Sequence, residues 1–232
     1  NVLGTINPIK KITRMANKFN IPILVDAAQS VSHISIDVKK INCDFLVFSG
    51  HKMMGPTGVG ILYIKKNMMK KIEPFLRGGS MIHEVKKHKS TWNNSPWRYE
   101  AGTPNIAQVI GLASSIEYIH KIGLSRINKH ETKLLSYLLS KLKKINGIII
   151  YGQQNESGPI VSFNILNYHP FDISKLLDTF GIAIRSGHHC AQLLMENLKI
   201  NYSNRISLYM YNNLSEIDYF INCLKKVIKI LK

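Results

Sequence analysis

The chain has 232 residues, 45% of them hydrophobic and 19% charged, a balance that fits a soluble globular protein of one large or two modest domains. No apolar run approaches a membrane span, and three widely spaced cysteines, Cys43, Cys190 and Cys223, support neither a disulfide framework nor a zinc ribbon. Basic residues outnumber acidic ones 31 to 14, a net charge of +17, but the lysines are scattered. The richness in Lys, Asn and Ile reads as an A/T-rich coding bias rather than a nucleic-acid-binding patch.

The chain opens Asn-Val-Leu-Gly rather than with Met, which reads as a fragment or processed form with any targeting peptide out of view. Ile9, Ile12, Ala16 and Phe19 recur at helical spacing. Residues 21–25 then form a short apolar run typical of a buried strand, ended by Asp26. A short helix-like stretch at 37–41 leads into a second buried strand, 45–48, ended by Ser49, and a third strand is predicted at 61–64. Helix and short apolar strand in alternation predict an α/β sheet.

The stretch "SMIHEVKKHKSTWNNSPWRYEAGTPN" is polar, aromatic and irregular, and reads as a long functional loop. Helices are predicted over 106–122 and 124–145, parted at Gly123. Beyond Gly152, strands at 160–165, 182–184 and 206–210 and a helix at 173–180 describe a second, α+β domain. A last helix carries Ile217, Ile221, Leu224, Ile228 and Leu231 inward, with Ser215 and Asp218 resembling a capping box. The domains are placed at 1–112 and 113–232.

Two polar groups follow buried strands: Asp26, and the cluster Ser49, His51 and Lys52 in "SGHKMMGPTG". Ligands of open α/β sheets bind at the carboxyl ends of strands. Each residue alone also fits a turn cap or a solvated lysine. As a pair they suit pyridoxal 5'-phosphate, whose aldehyde takes a lysine and whose pyridine nitrogen takes an acid. Ser49 and His51 would then donate to its phosphate. The spacing G-x-x-x-x-G-K-[ST] of a nucleotide loop is absent.

The segments "VDAAQSVSHISIDVKKINCDFLVFSGHKMMGPTGVGILYIKK" and "RSGHHCAQLLM", with "NVLGTINPI", "PWRYEAGTPN" and "RISLYMYNNLSEID", resemble group II, SUF-type cysteine desulfurases of the class V aminotransferase family. The resemblance runs along essentially the whole chain and implies the C-terminal part of such an enzyme. Its fold would be α/β fold-type I: part of the large mixed or parallel-sheet cofactor domain plus a smaller C-terminal α+β domain. By the same resemblance Lys52 is the Schiff-base lysine, Asp26 the acid at the pyridine nitrogen and Gln29 the amide at the phenolic oxygen. Ser49 and His51 are phosphate ligands, and Thr103 is a phosphate ligand supplied across a homodimer interface. Asn1 lies near the ring and the substrate carboxylate, Arg205 binds that carboxylate, Cys190 accepts sulfur, and Arg185, a substrate-binding residue on the same active-site segment as Cys190, has a positioning role. Departures from the family pattern are Ser186, where Thr is common, and Gln192-Leu193, where Met-Pro is common. The family histidine that stacks on the ring would lie before residue 1.

Cys190 follows two histidines and opens a helix-like run. Helix N-termini and nearby cations favour the thiolate, which is the nucleophile. Adjacent residues such as His188, His189 and Cys190 rarely converge on one metal, so no metal site is expected. Cys43 and Cys223 read as buried apolar residues. The resemblance implies conversion of L-cysteine to L-alanine, a persulfide on Cys190, and a SufE-like acceptor feeding iron–sulfur cluster assembly. It also implies a plastid-type organelle such as an apicoplast, or the cytoplasm of a bacterium, with no nucleic-acid or membrane partner. Rivals are a selenocysteine lyase or another class V enzyme, and a catalytically dead basic scaffold or nucleic-acid-binding protein.

Overall fold

The computed structural model describes residues 1–152 and 156–232. They form two compact units, one of Pro8–Leu124 and one of Asn1–Asn7 with Ser125–Lys232.

The first unit runs α1 (Ile9–Lys18), β1 (Leu24–Asp26), α2 (Val38–Ile41), β2 (Phe45–Ser49), β3 (Gly60–Ile64), α3 (Lys66–Met69), β4 (Ile82–Val85), β5 (Ser90–Trp92) and α4 (Ile106–Ile122). β1 and β2 are parallel, with Asp26 level with Val47, and β3 returns antiparallel to β2. The sheet is therefore mixed. The crossover between the parallel strands carries α2, whose first turn is closed by Asp37 Oδ1, accepting from the amides of Lys39 and Lys40. Val25, Ala27, Cys43 and Leu46 form the local core, joined by Ile9, Ile23 and Val31.

α1 does not bury the stripe its spacing predicts. Thr13 is fully buried and Ile9 packs on the core, while Ile12 and Phe19 are 42% and 74% exposed. The buried line runs through the i, i+4 positions Ile9 and Thr13. The long irregular loop holds a regular piece: β4 and β5 pair as an antiparallel hairpin, with a bulge between Ile82 and Glu84.

The second unit runs α5 (Leu124–Leu142, beginning at the boundary), β6 (Ile148–Tyr151), β7 (Ile160–Ile165), α6 (Pro170–Asp178), β8 (Arg185–Gly187), α7 (Gln192–Asn197), β9 (Ser203–Ser207) and α8 (Leu214–Ile230). Its four strands lie in the order β6-β7-β9-β8, every pair antiparallel. Val161, Phe163, Ile165 and Ile206 pack with Leu134, Leu138 and Leu142 of α5, Ile173 and Leu177 of α6, and Ile217, Ile221 and Leu224 of α8. Side chains alternate across a strand, so Ser162 and Arg205, partners in register, belong to the other face.

The boundary falls at Leu124/Ser125, beyond the expected 112/113, because α4 belongs with the turn after β2. Ser115 Oγ donates to Met54 O at 3.0 Å. The first seven residues join the second unit instead: Val2 is 2% exposed, its carbonyl accepts from Ser162 Oγ at 2.6 Å, and Thr5 bridges to Ser157. The strands predicted at 182–184 and 206–210 lie at 185–187 and 203–207, and β6 was not legible as a strand. The capping box of α8 is Asn213 with Glu216, not Ser215 with Asp218. Asp218 instead accepts from Tyr137 Oη at 2.8 Å and pairs with Lys141 at 3.0 Å. Among the described residues no helix is long and apolar enough to cross a membrane.

Candidate active site

In the first unit, Asp26 ends β1 and Ser49 ends the adjacent parallel β2, so both emerge at the carboxyl ends of neighbouring strands. Asp26 is exposed, and its Oδ1 accepts from Ala28 N at 2.9 Å, which fixes the carboxylate against the turn that carries Gln29. Gly50–Met53 forms one 3-10 turn that exposes His51 and Lys52 and buries Met53 as its anchor. Among the described residues no hydrogen bond or ion pair engages the Lys52 amine.

Glycine keeps that turn tight. Gly50 N donates to Val59 O at 2.9 Å and Gly55 N to Gly50 O at 3.0 Å. A Cβ on Gly55 would sit 2.8 Å from Gly50 O, and one on Gly60 would sit 2.8 Å from Phe48 O. α4 closes over the loop: Asn105 Nδ2, just before it, donates to Gly58 O at 2.6 Å. Thr103 lies exposed in the segment leading into α4, and no hydrogen bond joins it to Ser49, His51 or Lys52 among the described residues.

In the second unit, residues 188–191 connect β8 to α7. His189 and Cys190 are both left-handed, with φ of 54° and 59°, a conformation costly for residues with a Cβ. The turn exposes Cys190 and buries His189 to 1%. Arg185 Nη2 donates to Cys190 Sγ at 3.4 Å, and Cys190 N donates to His188 Nδ1 at 3.3 Å. Arg185 is the Cα partner of Arg205 on β9. Arg205 Nη1 donates to Asn1 O at 2.9 Å, and Asn1 Nδ2 donates to His189 O at 3.0 Å. Asn1, Arg185, Cys190 and Arg205 thus form one connected group.

The electrostatics of this group are cationic. Burial, then the neighbouring Arg185, pulls the Arg205 guanidinium below its ordinary value, while the Cys190 sulfur works the other way. Burial also drives His189 down to about 4 against a hydrogen bond with Ser203. The other cysteines are buried, Cys43 at 0% and Cys223 at 1% exposure, as expected, and burial pushes the Cys43 thiol up. Among the described residues no three His, Cys, Asp or Glu side chains gather as a metal site requires.

Each unit therefore gathers its own share of the expected residues: Asp26, Gln29, Ser49, His51 and Lys52 in one, Asn1, Arg185, Cys190 and Arg205 in the other. Sequence reasoning missed His189 and Ser203 as supports of the thiol turn. The His-His doublet was visible, but its burial was not.

Known proteins share this α/β scaffold. The aminotransferase class-V family model matches residues 1–220, and the chain belongs to that family. It is 48% identical to the probable cysteine desulfurase of Halalkalibacterium halodurans over 97% of this chain and 55% of the relative, and 48% identical to the cysteine desulfurase of Wigglesworthia glossinidia brevipalpis over 100% and 57%. The fold matches the apo cysteine desulfurase of Thermococcus onnurineus NA1 with a TM-score of 0.95 and 41% identity, covering 99% of this chain and 58% of that one. The S-sulfonic acid structure of Escherichia coli CsdA matches with a TM-score of 0.95 and 33% identity, over 99% and 57%. The architecture is the α/β fold-type I expected from the sequence. The chain spans 55% and 57% of the length of these two curated relatives.

Proposed function

We propose that the full-length protein is a pyridoxal-phosphate-dependent cysteine desulfurase. It converts L-cysteine to L-alanine and leaves the sulfur as a persulfide on Cys190. The observation that carries the reading is the exposed Cys190 thiol held 3.4 Å from Arg185, on the strand that pairs with the strand of Arg205. Kinship with named cysteine desulfurases supports it.

The first unit fits the cofactor. Lys52 is an exposed amine not engaged within the described residues, and Asp26 is an exposed carboxylate at the neighbouring strand end. Ser49 precedes, and His51 lies within, a turn so tight that a Cβ on Gly55 would strike backbone. Lys52 would hold the aldehyde, Asp26 the ring nitrogen, Gln29 the phenolic oxygen, and Ser49 and His51 the phosphate, with Thr103 supplied by a second copy of the chain. When bound, the cofactor supplies an electron sink for the electrons released at the substrate Cα.

Once free of the aldehyde, Lys52 moves the proton at the substrate Cα. Arg205 takes the substrate carboxylate, with Asn1 and Arg185 beside it; a guanidinium fork suits a planar anion. The Cys190 thiolate attacks the substrate sulfur. The S–S bond forms as the substrate C–S bond breaks, and the bonding pair stays with carbon, which takes up a proton. In sum, enzyme thiol and L-cysteine become enzyme persulfide and L-alanine.

The thiol sits on a connection of only residues 188–191, between β8 and α7, so an acceptor must come to it. We assign that task to a SufE-like protein feeding iron–sulfur cluster assembly, with the enzyme a homodimer. The Lys, Asn and Ile bias favours a plastid-type organelle such as an apicoplast; a bacterial host would place it in the cytoplasm.

The test uses the full-length, cofactor-loaded protein given L-cysteine without reductant. Alanine should appear, and peptide mass spectrometry should find one added sulfur on Cys190. Cys190→Ser should bind L-cysteine and add no sulfur. No alanine, or sulfur on Cys43 or Cys223 with Cys190 unmodified, would overturn the reading.

A further inference from the structure

The imidazole beneath the thiol has no role in the chemistry above, yet its geometry is fully specified. His189 is 1% exposed. Its Nε2 lies 2.9 Å from Ser203 O and 3.1 Å from Ser203 Oγ. A carbonyl oxygen only accepts, so Nε2 carries the ring proton and Nδ1 bears the lone pair. Nδ1 is buried with no hydrogen-bond partner. A second proton there would be an unsatisfied buried donor; burial first, then the charges of Arg205 on β9, Arg185 on β8 and the neighbouring His188, oppose it. The side chain is a fixed, neutral, single donor.

Its backbone is held as well, because His189 O accepts from Asn1 Nδ2 at 3.0 Å. Consecutive left-handed residues with a Cβ do not persist unless their surroundings impose them. Here the restraints converge on His189: its ring is tied to Ser203 on one side, and its carbonyl to Asn1 on the other. The next residue is Cys190, whose sulfur meets the Arg185 guanidinium.

We infer that His189 is the positioning residue of the thiol: its Nε2–H, seated on Ser203, locks the left-handed turn that sets Cys190 Sγ against Arg185. The inference rests on Cys190 being the sulfur-accepting thiol proposed above and adds how that thiol is held.

The test reads the thiol directly. In the full-length, cofactor-loaded protein, alkylation of Cys190 is timed with iodoacetate, which is anionic, and with iodoacetamide, which is neutral, and the site is located by peptide mass spectrometry. A guanidinium fixed beside the sulfur favours the anion, so the ratio of the two rates reports the Arg185 contact, whereas general loosening raises both rates together. Arg185→Gln should lower the ratio several-fold. His189→Leu should lower it to the same level, and the double variant no further. His189→Gln, whose amide N–H reaches towards Ser203 as Nε2–H does, should keep the ratio; His189→Asn, which is too short, should lose it. The Gln and Asn pair decides the matter where the Leu variant fails to fold. A wild-type ratio in His189→Asn or His189→Leu would overturn the assignment. Turnover separates the two claims. A ratio that behaves as expected in a protein that releases no alanine from L-cysteine upholds the positioning role and sinks the desulfurase reading. Alanine release with an unchanged ratio does the reverse.

Discussion

Arg205 Nη1 and the carbonyl oxygen of Asn1 are 2.9 Å apart, so the arginine assigned to the substrate carboxylate is braced by the residue that also holds the thiol turn through His189 O. A lysine at 205 would keep the charge but not the planar fork, and would reach one partner at a time. Arg205→Lys should raise the KM for L-cysteine about 10- to 100-fold, the loss expected of about 1.4 to 3 kcal/mol of charge-assisted hydrogen bonding. Steady-state kinetics on the full-length enzyme check this, and an unchanged KM would remove Arg205 from substrate binding.

Asp26→Asn tests the carboxylate at the end of β1. The amide keeps the oxygen that accepts from Ala28 N, so the turn should survive and the cofactor should stay bound. The negative charge is lost, and turnover should fall by about two orders of magnitude or more, the scale of removing a preorganised electrostatic partner. Cofactor absorbance and alanine release, measured on the same sample, separate binding from catalysis.

Gly55→Ala is a one-carbon change with a structural address. Its Cβ would stand 2.8 Å from Gly50 O and 3.0 Å from Leu112 Cδ1. The first of these is backbone of the turn that carries Lys52, so the turn must shift. Weaker retention of pyridoxal phosphate on dialysis is expected, with the second unit's Cys190 alkylation ratio untouched.

His189 makes stability depend on pH. Its pKa falls from 6.5 to about 4 on folding, so between those values the unfolded chain binds more protons than the folded one, and stability rises with pH. The contribution is complete above pH 6.5 and is lost as pH falls towards 4, an effect on the order of 3 kcal/mol from the size of the shift. Urea unfolding should show wild type and His189→Gln differing by a constant amount above pH 6.5, with wild type losing stability relative to the variant as pH falls towards 4.

Asn213 accepts from Glu216 N at 3.0 Å, while Glu216 Oε2 accepts from Asn213 N at 3.1 Å. Asn213→Ala should cost about 1 kcal/mol, read as a lower melting temperature with no change in KM. Asp218→Ala probes different contacts, Tyr137 Oη and Lys141, and should not mimic it.

This cap illustrates which parts of the fold were legible. α4 and β7 lie where their apolar patterns end, because long helices and buried strands are marked by many residues at once. The short elements slipped. Ile182 and Ile184 read as a strand, but both pack against the core outside the strand, and the residues that pair are Arg185–Gly187. Asn213 and Ser215 both suit a cap by residue type, and only the hydrogen bonds tell them apart. At the site, Lys52 and Asp26 were readable as polar groups after apolar runs. The place of Asn1 beside Arg205 joins opposite ends of the sequence, and the burial of His189 depends on the fold around it, so neither has a local signal.

Arg185 and Arg205 face one another across β8 and β9 as a register pair, an arrangement in which like charges oppose folding. An anion held by the pair would relieve that opposition, so occupancy and folding are thermodynamically linked. The melting temperature of the protein is therefore a binding signal: it should climb with the concentration of L-cysteine or a carboxylate analogue, and the climb should flatten once either arginine is replaced by glutamine.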